Sequence, residues 1–221
     1  MNNFYNQPKL LQWIEAIFLL IIGFLPALFI IEKGHSQPLF YILFLIYVPI
    51  GQFTSTPFFK LVGIYTYYSP LLLGYMANSI KIDLHSGGSF DYLFVMRKYK
   101  SGIEMRNRLL IFHLEGLICI IRLIENKSIP DTVSIVRTSY FFNDRTLYTM
   151  GFKIEKPSFI YRINLFVNFI DLFWMYSLAQ GRLSIPKIWN AKKAKISGVK
   201  LIESKKLIEE IYEKMKSKTT V

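Results

Sequence analysis

Eleven consecutive residues hold most of the groups that could do chemistry in this chain. They are Ile82-Asp83-Leu84-His85-Ser86-Gly87-Gly88-Ser89-Phe90-Asp91-Tyr92. The chain has only three histidines, and one of them, His85, ends an alternating run just before a glycine pair. An imidazole titrates near neutral pH, so His85 is the natural general base, with Asp91 or Asp83 to orient it. On this reading His85, Asp91 and Ser89 are the catalytic candidates. Asp83, Ser86, Gly87 and Gly88 would bind the ligand. A glycine-rich turn between a strand and a helix presents backbone N–H groups to an anion. The plainer reading is a strand–turn–helix joint with Ser89 as N-cap and Asp91 in the first helical turn. Asp83 and His85 share a strand face and could supply two metal ligands. No further His or Cys spacing completes a set, so no metal is expected and no cofactor is indicated.

A second anion-binding corner is suggested by Arg137, Thr138, Ser139 and Tyr140 near the end of a strand, with Asn143 opening a helix. Arg137 and Ser139 are its ligand-binding candidates. The competing reading is an ordinary strand–cap junction. His113 falls on the apolar side of a long helix and reads as a packed core residue. Cys119, within Leu117-Ile118-Cys119-Ile120-Ile121, reads as a small buried hydrophobe. A Cys/His nucleophile pair is therefore not expected. As the sole cysteine, Cys119 also excludes an intrachain disulfide.

After a strand, Asn143-Asp144-Arg145-Thr146-Leu147-Tyr148-Thr149-Met150-Gly151-Phe152 resembles the closing segment of GNAT acyltransferases, which have an Asn, a helix with Tyr, then Gly-Phe. The spacing is shorter here. The family's pyrophosphate loop has no counterpart beyond Tyr99-Lys100-Ser101-Gly102-Ile103. Membership is not implied, and no catalytic residue carries over.

The elements around these groups follow from periodicity. Ile80, Ile82 and Leu84 alternate with Lys81, Asp83 and His85, which is the pattern of a strand. Ser101–Asn126 reads as one helix, with Glu104, Arg108, Glu115 and Arg122 along one line. A solvated face is the simple explanation of that stripe; the other is a polar line facing a cleft or partner. Val133–Phe142 is strand-like, Asn143–Met150 a short helix closed by Gly151, and Phe152–Lys156 a strand. Past Pro186 comes a Lys-rich linker, then an amphipathic helix over Val199–Lys218 with Leu201, Ile208, Ile211, Tyr212 and Met215 on one side.

Charge is missing where the chain begins. Leu10–Ile31 carries only Glu15, and Gly34–Phe59 carries no Asp, Glu, Lys or Arg, although the whole chain has a net charge of +12. About 20 apolar residues suffice for a helix to cross a bilayer. The run is too long for a signal-peptide core and lacks a cleavage site, so a retained helical hairpin is expected. Glu15 is expected to snorkel to the interface. Asn164, Asn168 and Asp171 make a narrow polar stripe on the aromatic Phe159–Ala179 run, which suits an interfacial or docked helix.

The fold expected is an α-helical membrane hairpin followed by a small α/β (α+β) cytoplasmic domain and a C-terminal amphipathic helix. Its parts are residues 1–59, the transmembrane hairpin; 60–79, an interfacial segment or third span; 80–158, the α/β domain; 159–180, the aromatic helix; and 181–221, the basic linker and last helix. Residues 78–158 hold 12 Lys+Arg against 8 Asp+Glu, and residues 190–221 hold 9 Lys against 4 Glu. Basic flanks stay cytoplasmic, which favours two spans, both termini inside, and an inner (plasma) membrane location. The expected partners are a lipid bilayer with anionic headgroups and a membrane protein. Nucleic acid is not expected, because no stacking motif accompanies the charge. No catalytic set is complete, so a non-catalytic binding or complex subunit leads. The alternative is a membrane-anchored transferase or hydrolase acting on a lipid-linked or acyl substrate through the 85–91 turn.

Overall fold

The computed structural model describes residues 3–139 and 144–219. Two long apolar helices open the chain. α1 runs Lys9–Ser36, a turn of 3-10 helix covers Pro38–Leu43, and α2 runs Phe44–Leu61. Lys9–Ser36 and Pro38–Leu61 are each long and apolar enough to cross a membrane. At 1.5 Å per residue, α1 is about 42 Å long, against a hydrocarbon layer of about 30 Å. The two helices approach closely at Gly23. A Cβ added there would lie 2.0 Å from Thr54 Oγ1, so only glycine allows this crossing. The outer faces stay apolar and exposed, as at Leu10, Phe18 and Leu25.

A mixed six-stranded sheet follows, in the order β1-β2-β3-β4-β6-β5. Its strands are β1 Tyr65–Ser69, β2 Leu72–Tyr75, β3 Lys81–Ser86, β4 Ser134–Ser139, β5 Lys153–Glu155 and β6 Lys192–Ser197. Only β3 and β4 pair in parallel, with Leu84 opposite Arg137. A parallel pair needs a crossover. Here it consists of α3 Ser89–Met96 and α4 Ile103–Glu125. α4 lies across the sheet, where Leu114, Ile118 and Ile121 join Leu72, Ile82, Leu84 and Ile135 in the main core. Gly116 lets the helix close on the sheet, since a Cβ there would meet Leu72 Cδ2 at 2.4 Å.

Between β4 and β6 come α5 Asp144–Thr149, β5, α6 Phe159–Val167 and α7 Phe169–Gln180. α6 and α7 divide at Asn168, whose side-chain amide donates to Asn164 O at 2.7 Å beside its own backbone N–H at 3.1 Å. After β6, α8 Gly198–Glu203 and α9 Lys205–Ser217 bring Leu201 and Ile208 into the core.

Three segments differ from the sequence reading. Residues 60–79 do not form a third spanning helix, since most of them form the β1–β2 hairpin of the sheet. Tyr65-Thr66-Tyr67-Tyr68 is a β-favouring run, and Ser69-Pro70 turns it. The supposed Lys-rich linker contains β6, which pairs with both β4 and β5. Its inward residues, Ala194 and Ile196, are only two, and the flanking lysines hide the alternation. The last helix is broken at Ser204. Ile80 also precedes β3 and is exposed, and Cys119 is half-buried.

Candidate functional site

Strand and helix geometry scatters the polar groups of residues 83–91. Side chains two apart share a strand face and neighbours do not, while residues two apart in a helix point in nearly opposite directions. His85 therefore sits with Asp83, and Ser86 faces the other way. Ser89 and Asp91 leave the first turn of α3 on different sides.

On one face, Asp83 is the centre. His85 Nε2 lies 3.5 Å from Asp83 Oδ1 and Lys81 Nζ 2.7 Å from Oδ2, while Tyr161 of α6 donates its hydroxyl to the same Oδ2. Burial pushes the Asp83 carboxyl up. His85, Lys81 and Tyr161 outweigh it and hold the group well below the usual carboxylate range. The acidic partner of His85 is thus Asp83, and the structure does not bring His85 to Asp91.

On the opposite face, Ser86 Oγ lies 3.3 Å from His113 Nε2 and accepts from Arg137 Nη2 at 3.2 Å. His113 is buried, with Nδ1 2.5 Å from Leu109 O. Burial, then the charge of Arg137, holds His113 well below the ordinary histidine range. The ring is neutral, its Nδ1–H donated to Leu109 O and its Nε2 accepting from the serine. His113 does pack in the interior, yet it reaches the turn, and nothing in its helical position announced that contact. Arg137 stands beside Ser86 because Leu84 and Arg137 are paired in the β3–β4 register. Ser139 ends β4; Tyr140 and Asn143 of the same expected corner lie outside the described residues.

The remaining polar groups of the turn tie α3 to α7, to β1 and to the segment ahead of α1. Gly88, rather than Ser89, is the N-cap of α3. Ser89 donates its hydroxyl to Asp171 of α7, which also accepts from Trp174 Nε1 at 3.2 Å. Asp171 is buried, and its second oxygen has no partner among the described residues. Asp91 is fully buried. It accepts from Tyr67 of β1 at 2.5 Å and from Tyr5, ahead of α1, at 3.3 Å. Burial raises its carboxyl to about 6, against the pull of Tyr67, Tyr5, Lys60 and the Gly88 N–H. Burial, then the Asp91 charge, drives the Tyr67 hydroxyl far upward, so Tyr67 stays a donor. Lys60 lies 3.2 Å from the Tyr5 ring centroid. Gly87 is wedged against Asp91 and Leu71, with room for no Cβ. Gln52 of α2 donates to Asn168, completing a second tie.

No group of three or more metal-ligating side chains occurs among the described residues. The Glu104–Arg122 stripe is not simply solvated. Glu115 accepts the Tyr212 hydroxyl of α9 at 3.1 Å, and Arg108 stacks 5.1 Å from the Tyr99 ring centroid.

Comparison with known proteins returns no matching family model, curated protein or solved structure. Of the segment resembling the GNAT closing motif, Asn143 lies outside the described residues. The rest forms α5 and a turn with Gly151 at φ +81°, just ahead of β5.

Proposed function

We propose that this chain is an integral membrane protein whose helical hairpin crosses the bilayer, and whose α/β domain rests on the cytoplasmic face as a non-catalytic binding or complex subunit. The observation that carries this reading is the use made of the polar turn. Asp91 and Ser89, two of the three catalytic candidates, are buried in hydrogen bonds to Tyr5, Tyr67 and Asp171. Groups so engaged hold the chain start, β1, α3 and α7 together, and neither Ser89 nor Asp91 is left to serve His85, whose one acidic neighbour is Asp83. The exposed apolar faces of α1 and α2 support membrane insertion. Phe159, Ile160, Phe166, Leu183 and Trp189 are also exposed, an apolar edge suited to the headgroup boundary.

A catalytic reading is favoured by one observation, the Ser86–His113–Arg137 contact, which has the form of a nucleophile with a base and a cation. It ranks second because a general base must accept a proton, and burial beside Arg137 disfavours imidazolium at His113.

Membrane topology tests the primary reading. In a Cys119→Ser background, Ser36→Cys should react with an impermeant maleimide on intact cells. Ser217→Cys should react only after permeabilisation. The protein should also stay in the pellet on alkaline carbonate extraction. Release into the supernatant, or labelling of both positions from the same side, would remove the hairpin from the membrane.

A further inference from the structure

The loop between α3 and α4 closes a cavity of about 250 Å³ whose walls include Phe94, Arg97, Lys98, Tyr99 and Phe112. Its cations are held on aromatic rings. The Arg97 guanidinium lies 5.7 Å from the Phe94 centroid, and Lys98 Nζ lies 5.2 Å from that of Tyr99. Arg108 stacks on Tyr99 from α4, one helical turn before Phe112. None of the three makes an ion pair among the described residues. Arg108 Nε is buried with no acceptor there. Arg97 and Lys98 line the cavity and Arg108 adds a third positive charge on the Tyr99 ring, and an anion between the two lining cations would relieve the repulsion among these like charges. Guanidinium and ammonium groups together suit a phosphate, whose oxygens accept from several donors at once.

Size and place narrow the ligand. Drug-sized ligands take pockets of about 300–1,000 Å³, so this cavity fits a headgroup and not a whole lipid. Phe94 packs on a cluster with Leu19 of α1 and Phe53, Phe58 and Leu61 of α2. The cavity is therefore next to the domain end of the hairpin, flanked by exposed Leu93 and Ile103. If the hairpin spans the bilayer, lipid phosphates lie at that level. We infer that this cavity holds the phosphate group of an anionic phospholipid, an inference that rests on the membrane reading above.

The test uses the full chain in a nonionic detergent, titrated calorimetrically with short-chain phosphatidic acid, short-chain phosphatidylcholine and inorganic phosphate. Phosphatidic acid should saturate at one per chain, with phosphatidylcholine silent and inorganic phosphate weaker. An Arg97→Gln/Lys98→Gln variant should weaken binding about thirtyfold, the effect of two surface charges near a phosphate. Both side chains are exposed, so its melting temperature should not change. Arg108→Gln should weaken binding too. Lys200→Gln/Lys206→Gln, an equal charge change far along the chain, should leave it intact. Absence of saturation, or equal loss in the remote variant, overturns the site. Inorganic phosphate binding as tightly as phosphatidic acid overturns the lipid source in favour of a soluble anion. Carbonate release combined with intact phosphate binding would sink the membrane reading and leave the anion site standing.

Discussion

Tyr67 donates its hydroxyl to Asp91 at 2.5 Å, tying the edge strand β1 to the first turn of α3. Tyr5 reaches the same carboxylate at 3.3 Å from the segment ahead of α1. One buried acid thus holds an edge strand, the chain start and the crossover together, with Lys60 of α2 lying over the Tyr5 ring.

Removing the stronger of these donors should be costly. Tyr67→Phe leaves a buried carboxylate short of a partner, and hydrogen bonds to charged groups contribute roughly 1.5–3 kcal/mol. Tyr5→Phe should cost less, because its contact is longer. Denaturant unfolding in detergent gives both values. A larger loss for Tyr5→Phe would show that Asp91 is held chiefly from the chain start.

The raised Asp91 carboxyl predicts a pH dependence of definite sign. Its folded value is about 6 against an ordinary 3.8, so between about pH 4 and 6 the folded state keeps a proton that the unfolded chain has shed. Its contribution therefore falls as pH rises through that window, by on the order of 3 kcal/mol in total. His113 acts in the opposite sense. Its value is depressed, so its contribution is present above its ordinary 6.5 and is lost as pH falls. Asp83, also depressed, loses its contribution only below about pH 4. The measurement is accordingly the stability difference between the natural chain and Asp91→Asn across pH 4–7. The advantage of the natural chain should shrink with rising pH, and a flat difference would contradict the assignment.

The hairpin depends on a missing side chain. Gly23→Ala places a Cβ 2.0 Å from Thr54 Oγ1 and 2.8 Å from Thr54 Cβ. Overpacking of this kind costs about 1–3 kcal/mol. Thr54→Gly in the same chain should recover much of it, because the two atoms in conflict are then gone. A double-mutant cycle by thermal unfolding reads the coupling. Additive losses would place the strain elsewhere.

Ser86 provides the check on the catalytic alternative. With His113 buried beside Arg137, the hydroxyl should stay unreactive, and a fluorophosphonate probe should not label the folded protein at pH 7–8. Labelling that vanishes in Ser86→Ala and in His113→Asn would move preference to the enzyme reading.

Much of this architecture was legible in the residues. The absence of charge from Gly34 to Phe59 marks the second apolar helix, and the alternation at 81–86 marks β3. The long apolar period from Ile103 to Glu125 marks α4 as one helix. These signals are local, since each depends on a single element burying one face, or on none of its faces meeting water. The β1–β2 hairpin had a local signal too, in its tyrosines and Ser69-Pro70, but its freedom from charge resembled a membrane segment. β6 had almost none, because two inward residues among lysines become a strand only when β4 and β5 supply its hydrogen bonds.

Residue types and spacing placed His85, Ser86, Ser89 and Asp91 in one turn. They also made Asp83 the one acid on the same strand face as His85. The partners of the others came from residues distant in the chain. Tyr5 and Tyr67 took Asp91, Asp171 took Ser89, and His113 and Arg137 took Ser86. The sequence alone determined which groups were clustered and which face of the strand each would take, because a strand alternates and a helix turns by fixed angles. Only the tertiary structure decided what each group would meet, because those partners arrive through sheet register and helix packing, which no short window of sequence contains.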